Sequence, residues 1–366
     1  MPSRSPTWVV VGQRIADARK AAGLSQEQLA GELGVDRTVV SKIESGDRRV
    51  DTLELAQLAR VLKRSIEWFV TAPRPAIVSR RANPVEPKKL QVDAVLEELA
   101  QGVELLIDLG VLSPPDARVA RKIENVGDAE EAALEVRNSW AIPAGPLRNL
   151  QAHAQRLGLY AFSLELPSGF DGATLTLRRG GAAVINGGGE PGRRRFTLAH
   201  EIGHHLLADE YSADFDVTAG VEERERLVNA FAIHLLMPRP SVTSSWRELL
   251  VEHGTRGGAI IISAEYGVSW SASIPHLLHL NLIGLSECEG LRASPPRHAD
   301  YLELAVDVIP ELEPPRVPPL YAAAVVKAYK MRAITSERAL ELLHGTLKAT
   351  DLPPLEDVPF LAVTDA

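Results

Sequence analysis

Cysteine is almost missing from this sequence. Of its 366 residues only Cys288 carries a thiol, which excludes an intrachain disulfide and a cysteine-based zinc knuckle, so that any bound metal takes its ligands from His, Asp or Glu. Long apolar runs are missing as well. No stretch approaches the roughly 18 consecutive apolar residues of a membrane span, and Met1 to Thr7 lacks the apolar core of a secretory leader, so a cytoplasmic protein with no membrane partner is expected. There is no convincing internal repeat. Core-forming residues, by contrast, are plentiful: 45% hydrophobic against 24% charged is the balance of a folded chain and excludes global disorder. At this length two or three domains are expected.

The net charge of −8 conceals two unlike parts. Residues 1–85 hold 14 Lys and Arg against 9 Asp and Glu, a net +5, which leaves −13 for the remainder. A basic head on an acidic body fits a module that faces DNA.

Apolar spacing in the head predicts five short helices, Val11–Ala22, Ser25–Leu33, Asp36–Glu44, Thr52–Leu62 and Ser65–Val70, with Gly23, Gly34 and Gly46 closing the first three and Ser25 and Asp36 as N-caps. Residues 72–93, which contain Pro73, Pro75, Pro84 and Pro87, read as a linker. Helical pattern returns at Val92–Leu109, Ala129–Ser139 and Leu147–Leu157. Three apolar runs, Tyr160–Leu166, Ala173–Leu177 and Ala182–Asn186, then read as an antiparallel meander. Two helices follow, Arg194–Ala208 and Glu222–Leu236, the second stopped by Met237-Pro238. Beyond Pro240 the reading gives a strand at Ala259–Ile262, helical spacing at Ser271–Leu282, a proline-rich acidic passage (Val308–Pro319), two helices within Leu320–Leu347 and a proline-containing, partly disordered tail from Leu352.

Within the first of the two paired helices stands His200-Glu201-Ile202-Gly203-His204. Four residues along a helix bring both imidazoles to one face, one turn apart, where they can chelate a single Zn²⁺. Glu201 is then placed to hold and deprotonate a water whose acidity the metal raises. A third ligand is expected from Glu222–Leu236. Glu225 is the best candidate, because it shares an inward stripe with Val228, Asn229, Ala232 and Leu236, and a carboxylate facing inward is costly unless paired or metal-bound; Glu222 and Glu223 remain alternatives. His205 lies about 100° round the helix from His204 and is read as packing or surface. His234, His153, His253, His276, His279, His298 and His344 show no spacing that pairs them with the motif.

Ser25–Leu33, the Gly34-Val35 turn and Asp36–Glu44 have the lengths of a helix-turn-helix, whose second helix enters the major groove. Its exposed residues Arg37, Thr38, Ser41 and Lys42 would meet base edges while Val40 and Ile43 take core positions; Gln26, Arg48 and Arg49 are placed for phosphates. The plainer alternative is a helical protein-interaction module with a solvated basic face.

Two resemblances sharpen this reading. Val11–Val70, through Gly23-Leu24-Ser25-Gln26-Glu27-Gln28-Leu29-Ala30, Ser41-Lys42-Ile43-Glu44-Ser45-Gly46 and Ser65-Ile66-Glu67-Trp68-Phe69, resembles the XRE (Cro and phage repressor) helix-turn-helix family. Residues 126–238, through Val184-Ile185-Asn186, Arg195-Phe196-Thr197-Leu198-Ala199-His200-Glu201-Ile202-Gly203-His204, Glu225, Asn229, Phe231-Ala232 and Leu235-Leu236-Met237-Pro238, are similar to the ImmA/IrrE family of metallo-endopeptidases. Val228 stands where that family usually has alanine, and His234 where it varies. The second resemblance implies a minimal zincin with His200, His204 and Glu225 as zinc ligands, Asn229 beside them and Glu201 as base. It also implies a role in regulation, by cutting a helix-turn-helix repressor and so releasing stress or mobile-element genes.

Together these readings give an α+β chain: an all-α five-helix helix-turn-helix domain (8–71), the linker (72–93), a minimal zincin (94–240) whose small, mainly antiparallel sheet packs on the HExxH helix, and a mostly helical C-terminal region (241–366) without an assigned role. The expected activity is zinc-dependent peptide hydrolysis, with strand addition to Ala182–Asn186 holding an extended substrate, Arg193, Arg194 and Arg195 read as a basic helix start, and no residue named for the oxyanion. The expected partners are a double-stranded DNA operator, a repressor substrate and a second copy of the chain, since XRE modules usually bind as dimers. The alternatives are a regulator or antitoxin whose zinc is structural or sensory, and self-cleavage within the linker.

Overall fold

A computed structural model describes residues 7–62, 64–70, 86–115, 123–206 and 218–355. The head is five helices, α1 (Trp8–Ala21), α2 (Gln26–Leu33), α3 (Arg37–Glu44), α4 (Thr52–Leu62) and α5 (Ile66–Val70), closed around Ile15, Leu29, Val40, Leu58 and Phe69. Local chemistry explains the boundaries. Ser25 and Gln28 form a reciprocal capping box on α2, and Gly34 ends it in the left-handed conformation (φ 69°) that glycine adopts without strain. Asp36 occupies the N-cap of α3 without a side-chain cap bond.

The rest of the chain runs α6 (Glu86–Asp108), α7 (Val126–Ser139), α8 (Leu150–Arg156), β1 (Leu159–Leu164), β2 (Gly172–Thr176), β3 (Gly181–Asn186), α9 (Pro191–Leu206), α10 (Thr218–Leu236), α11 (Arg239–Tyr266, kinked at Gly254), α12 (Trp270–His279), α13 (Leu285–Ala293), α14 (His298–Glu303), α15 (Pro319–Lys330) and α16 (Ser336–Leu342), then one 3₁₀ turn, Ala349–Asp351. Among the described residues no helix is long and apolar enough to cross a membrane.

The sheet is mixed, and its order is β1-β3-β2. β3 pairs in parallel with β1 (Leu159 opposite Gly181) and antiparallel with β2 (Gly172 opposite Ile185), so the meander expected from chain order is not formed. Ala182, Ala183, Val184 and Ile185 are all fully buried, as befits a strand at the centre of a covered sheet, and β1 is buried to the same degree. Side-chain alternation then divides the core in two. Leu159, Ala161, Ala183 and Ile185 face the layer that includes α7 to α12, whereas Tyr160, Phe162, Ala173, Leu175 and Val184 face α6, α15 and α16.

Three sequence readings change accordingly. Ala259–Ile262 lies within helix α11, buried at every position; a short run with no polar face shows no 3.6-residue period, so sequence alone cannot separate it from a strand. Of the segment read as linker, 72–85 falls outside the described residues, and Glu86–Asp93 opens α6, with Pro87 in the first turn where its missing N–H costs nothing. The C-terminal region proves integral to the sheet: Ser163 of β1 exchanges both backbone bonds with Arg316 (2.8 and 2.9 Å), and α15 and α16 roof one face.

α6 also carries the head. Ala94 belongs to the head's core, Arg14 of α1 reaches Glu97 (2.8 Å) while its guanidinium lies 4.0 Å over the Trp68 ring, and Arg64 meets Glu98 (3.4 Å).

Candidate metal centre and nucleic-acid interface

α9 is buried along nearly its whole length, between the sheet and α10, so its polar side chains must find partners. His200 and His204, one turn apart, bring their Nε2 atoms to 2.9 Å. Glu225 of α10 faces them, 3.3 Å from His200 Nε2 and 3.2 Å from His204 Nε2. Burial pushes the Glu225 carboxyl up, but bonds and charge from the two imidazoles in their protonated form outweigh it and hold the group well below the usual carboxylate range. Among the described residues these three alone form a metal-ligating cluster. The donor set fits a divalent ion, since two nitrogens and a carboxylate at these separations can share one point about 2.0–2.1 Å from each ligand atom. Of the alternatives, Glu223 pairs with Arg226 (2.6 Å).

The neighbours of the cluster are arranged to orient it. Asn229 Oδ1 lies 3.1 Å from His200 Nδ1 and can only accept, so Nδ1 carries the proton and the Nε2 lone pair turns toward Glu225. Gly203 lets α10 approach: a Cβ there would lie 3.0 Å from Val228 and 3.1 Å from Phe231. Glu201 is buried, and its Oε2 accepts a 2.6 Å bond from Thr174 Oγ1 on β2. Beside it, Gly172 leaves room that a Cβ would fill, 2.6 Å from Thr197 Cγ2 and 3.1 Å from Glu201 Oε1. Thr174 and Gly172 were missed in the sequence; their strand alternation, which sets both on the face opposite Ala173 and Leu175, was the available signal.

In the head, Val40 and Ile43 are buried, and Arg37, Thr38, Ser41 and Lys42 project from α3 into solvent together with Arg49 from the following turn. Gln26 and Arg48 are engaged. Gln26 Nε2 donates to Glu44 Oε2 (2.9 Å), a carboxylate also gripped by Arg19 (2.5 and 3.0 Å), and Arg48 pairs with Glu54 (2.6 Å). The Arg19–Glu44–Gln26 bridge fixes α3 against α1 and α2, a contact invisible in the sequence.

Residues 154–273 match the IrrE N-terminal-like domain family. Residues 15–69 match the helix-turn-helix family, so an XRE-type helix-turn-helix domain and an IrrE-like domain share one chain. The radiation response metalloprotease IrrE of Deinococcus radiodurans is 31% identical over 167 residues, which covers 43% of this chain and 45% of that protein. The chain thus spans less than half the length of this relative. A crystal structure of Bacillus thuringiensis PlcR in complex with the peptide PapR7 and DNA aligns over 91% of each chain at 12% identity, with a TM-score of 0.18, too low to carry an argument.

The remaining candidates in the IrrE-like domain have structural partners. His205 is buried and bonds the Leu157 carbonyl (2.9 Å), the packing role expected of it. Arg193 pairs with Asp171, and Arg194 donates to the Gly187 carbonyl. Arg195, wholly buried, ties the helix to the carbonyls of Leu147, Tyr266 and Gly267 and to the carboxylate of Glu311. His234, His276 and His279 gather where α10 meets α12, ring centroids 4.8 to 6.2 Å apart, beside Glu130. Burial drives His276 down to about 3 and His234 to about 4, so both are neutral at pH 7.

Proposed function

We propose that the protein is a DNA-binding regulator with zinc-dependent endopeptidase activity, which cuts a helix-turn-helix repressor and so derepresses stress or mobile-element genes. The observation that carries this reading is the convergence of His200, His204 and Glu225 with a buried carboxylate, Glu201, next in sequence to the first ligand. His200, His204 and Glu225 would hold the zinc, and Asn229 fixes the tautomer of His200. Bound there, zinc would acidify water and polarise the scissile carbonyl. Glu201 takes the proton from the attacking water and returns it to the leaving amine, with Thr174 holding the carboxylate in position. A purely structural metal site has no need of a base at that place.

An extended substrate needs a sheet edge. β3 is central, so the strand addition expected at Ala182–Asn186 has no free edge there; β1 is engaged with Arg316, and β2, which carries Thr174 and Gly172 beside Glu201, is the outer strand on the other side. In the head, Arg37, Thr38, Ser41 and Lys42 read base edges and Arg49 binds phosphate, as two copies on a two-fold symmetric operator. One chain that both binds the operator and cuts the repressor raises the effective concentration of protease at its target.

The test is Glu201→Gln. Zinc content measured by atomic absorption should stay at wild-type level while cleavage of a co-encoded repressor disappears. Retained cleavage refutes the assigned base, and loss of zinc in wild type as well as in His200→Ala and Glu225→Ala refutes the centre.

A further inference from the structure

A cleft of about 1260 Å³ opens beside the metal-ligand cluster, walled by the first turns of α9, by α10 and by α12. Asn229, which is bonded to His200, lies on its wall. Three arginines line it and two are neutralised: Arg193 by a two-pronged pair with Asp171 (2.8 and 2.9 Å), and Arg226 by Glu223. Arg194 differs. It is 6% exposed, its Nη1 donates to the Gly187 carbonyl at 2.9 Å, its Nε has no hydrogen-bond partner, and among the described residues no carboxylate lies within ion-pair distance. His234, on the same cleft, is 1% exposed, and neither of its ring nitrogens makes a hydrogen bond.

The nearest charge acting on it is that of Glu313, an exposed carboxylate beyond ion-pair distance, so the buried guanidinium has no directly bonded counter-ion and a carboxylate brought into the cleft would supply one. The position strengthens the demand, because Arg194 stands in the first turn of α9, where the helix dipole also favours negative charge. The acidic residues nearby do not bond to it: Asp171 is held by Arg193, and Glu190 and Glu313 are exposed, Glu313 acting only at longer range. We infer that this cleft receives an acidic side chain of the polypeptide substrate, whose carboxylate pairs with Arg194 while a neutral polar group of the same segment bonds to His234. Description of the occupant as a substrate rests on the peptidase reading; its acidic character rests on Arg194 alone.

The experiment uses the full chain loaded with zinc and carrying Glu201→Gln, with two fluorescein-labelled decapeptide pools that are identical except for Glu or Gln at one central position, read by anisotropy. The Glu pool should bind about tenfold tighter, the size of one charge-assisted bond. Arg194→Gln, which keeps a donor for the Gly187 carbonyl but no charge, should erase the preference, and Arg194→Lys should restore part of it. His234→Phe should weaken both pools alike. Equal binding of the two pools, or a preference that survives Arg194→Gln, overturns the inference. The two readings fail separately. If the chain with Glu201 intact cuts both pools at equal rates, the acidic subsite falls and the peptidase stands; if an Arg194-dependent preference appears with no cleavage of either pool, the subsite stands and the peptidase falls.

Discussion

Glu311→Ala should loosen α9, the helix that carries His200 and His204, from more than a hundred residues away in sequence. The Glu311 carboxylate pairs with Arg195, which is wholly buried five positions before His200, and it also accepts backbone N–H groups from Asn149 (2.7 Å) and Leu150 (3.2 Å) at the start of α8. Removing one partner of a buried pair costs about 3–5 kcal/mol, and an acceptor lost from a helix start about 1 kcal/mol. Arg195 keeps its bonds to the carbonyls of Leu147, Tyr266 and Gly267, which favours the low end, so a total of about 4 kcal/mol is expected. With a urea slope of about 3 kcal/mol per M, that lowers the unfolding midpoint by about 1 M. Tryptophan fluorescence in urea measures it, with the slope compared between variants. Because the two residues share one interaction, Arg195→Met combined with Glu311→Ala should cost less than the sum of the single changes. The zinc affinity of Glu311→Ala should fall as well. A loss under about 1 kcal/mol, or strict additivity in the double variant, refutes the claim that this pair anchors α9.

Other changes probe other links. Gly172→Ala, whose Cβ would press on Thr197 and Glu201, should lower kcat by roughly 10–100-fold with zinc content unchanged, as judged by steady-state kinetics beside metal analysis. His276, brought to about 3 by burial, by His234 and His279 and by Arg239, against the Met237 carbonyl that raises it, binds its proton more readily in the unfolded chain, where its value is 6.5. Its contribution to stability is therefore complete above pH 6.5 and is lost as pH falls from 6.5 toward 3. Between pH 7 and pH 5 this amounts to about 2 kcal/mol, which His276→Gln should remove in urea titrations at the two pH values. In the head, Arg37→Ala should cost about 1–3 kcal/mol on a cognate operator and relax sequence preference, whereas Arg49→Ala should weaken all duplexes alike and reduce the salt slope by about 1, both measurable by anisotropy across salt concentrations.

Motif, spacing and caps made much of this molecule readable in advance. The head was legible because Ser25, Gly34 and the buried Val40 and Ile43 are local signals, each decided within a few residues. His200, His204 and Glu201 follow from helical periodicity, and Glu225 follows from the cost of an inward carboxylate, so the cluster needed only two helices packed side by side. What escaped was non-local. The parallel pairing of β1 with β3 is a contact between strands not adjacent in the chain, with no local signal to announce it, and α11 hid its helical period by being buried all round at Ala259–Ile262. Glu311, Thr174 and Gly172 act across separations of 27 residues or more from the groups they support, or through space that only coordinates reveal.

The bridging role of α6 has a further consequence. One side of this helix is keyed into the head by Arg14 and Arg64, and Val92, Leu96, Leu99 and Val103 lie in the core that roofs the sheet. Such a shared strut couples the orientation of the head to that of the sheet. On the proposed function, a chain seated on an operator would aim the His200–His204–Glu225 cluster along a set bearing, and a repressor on neighbouring DNA would be in reach only from the helical phase that this bearing meets.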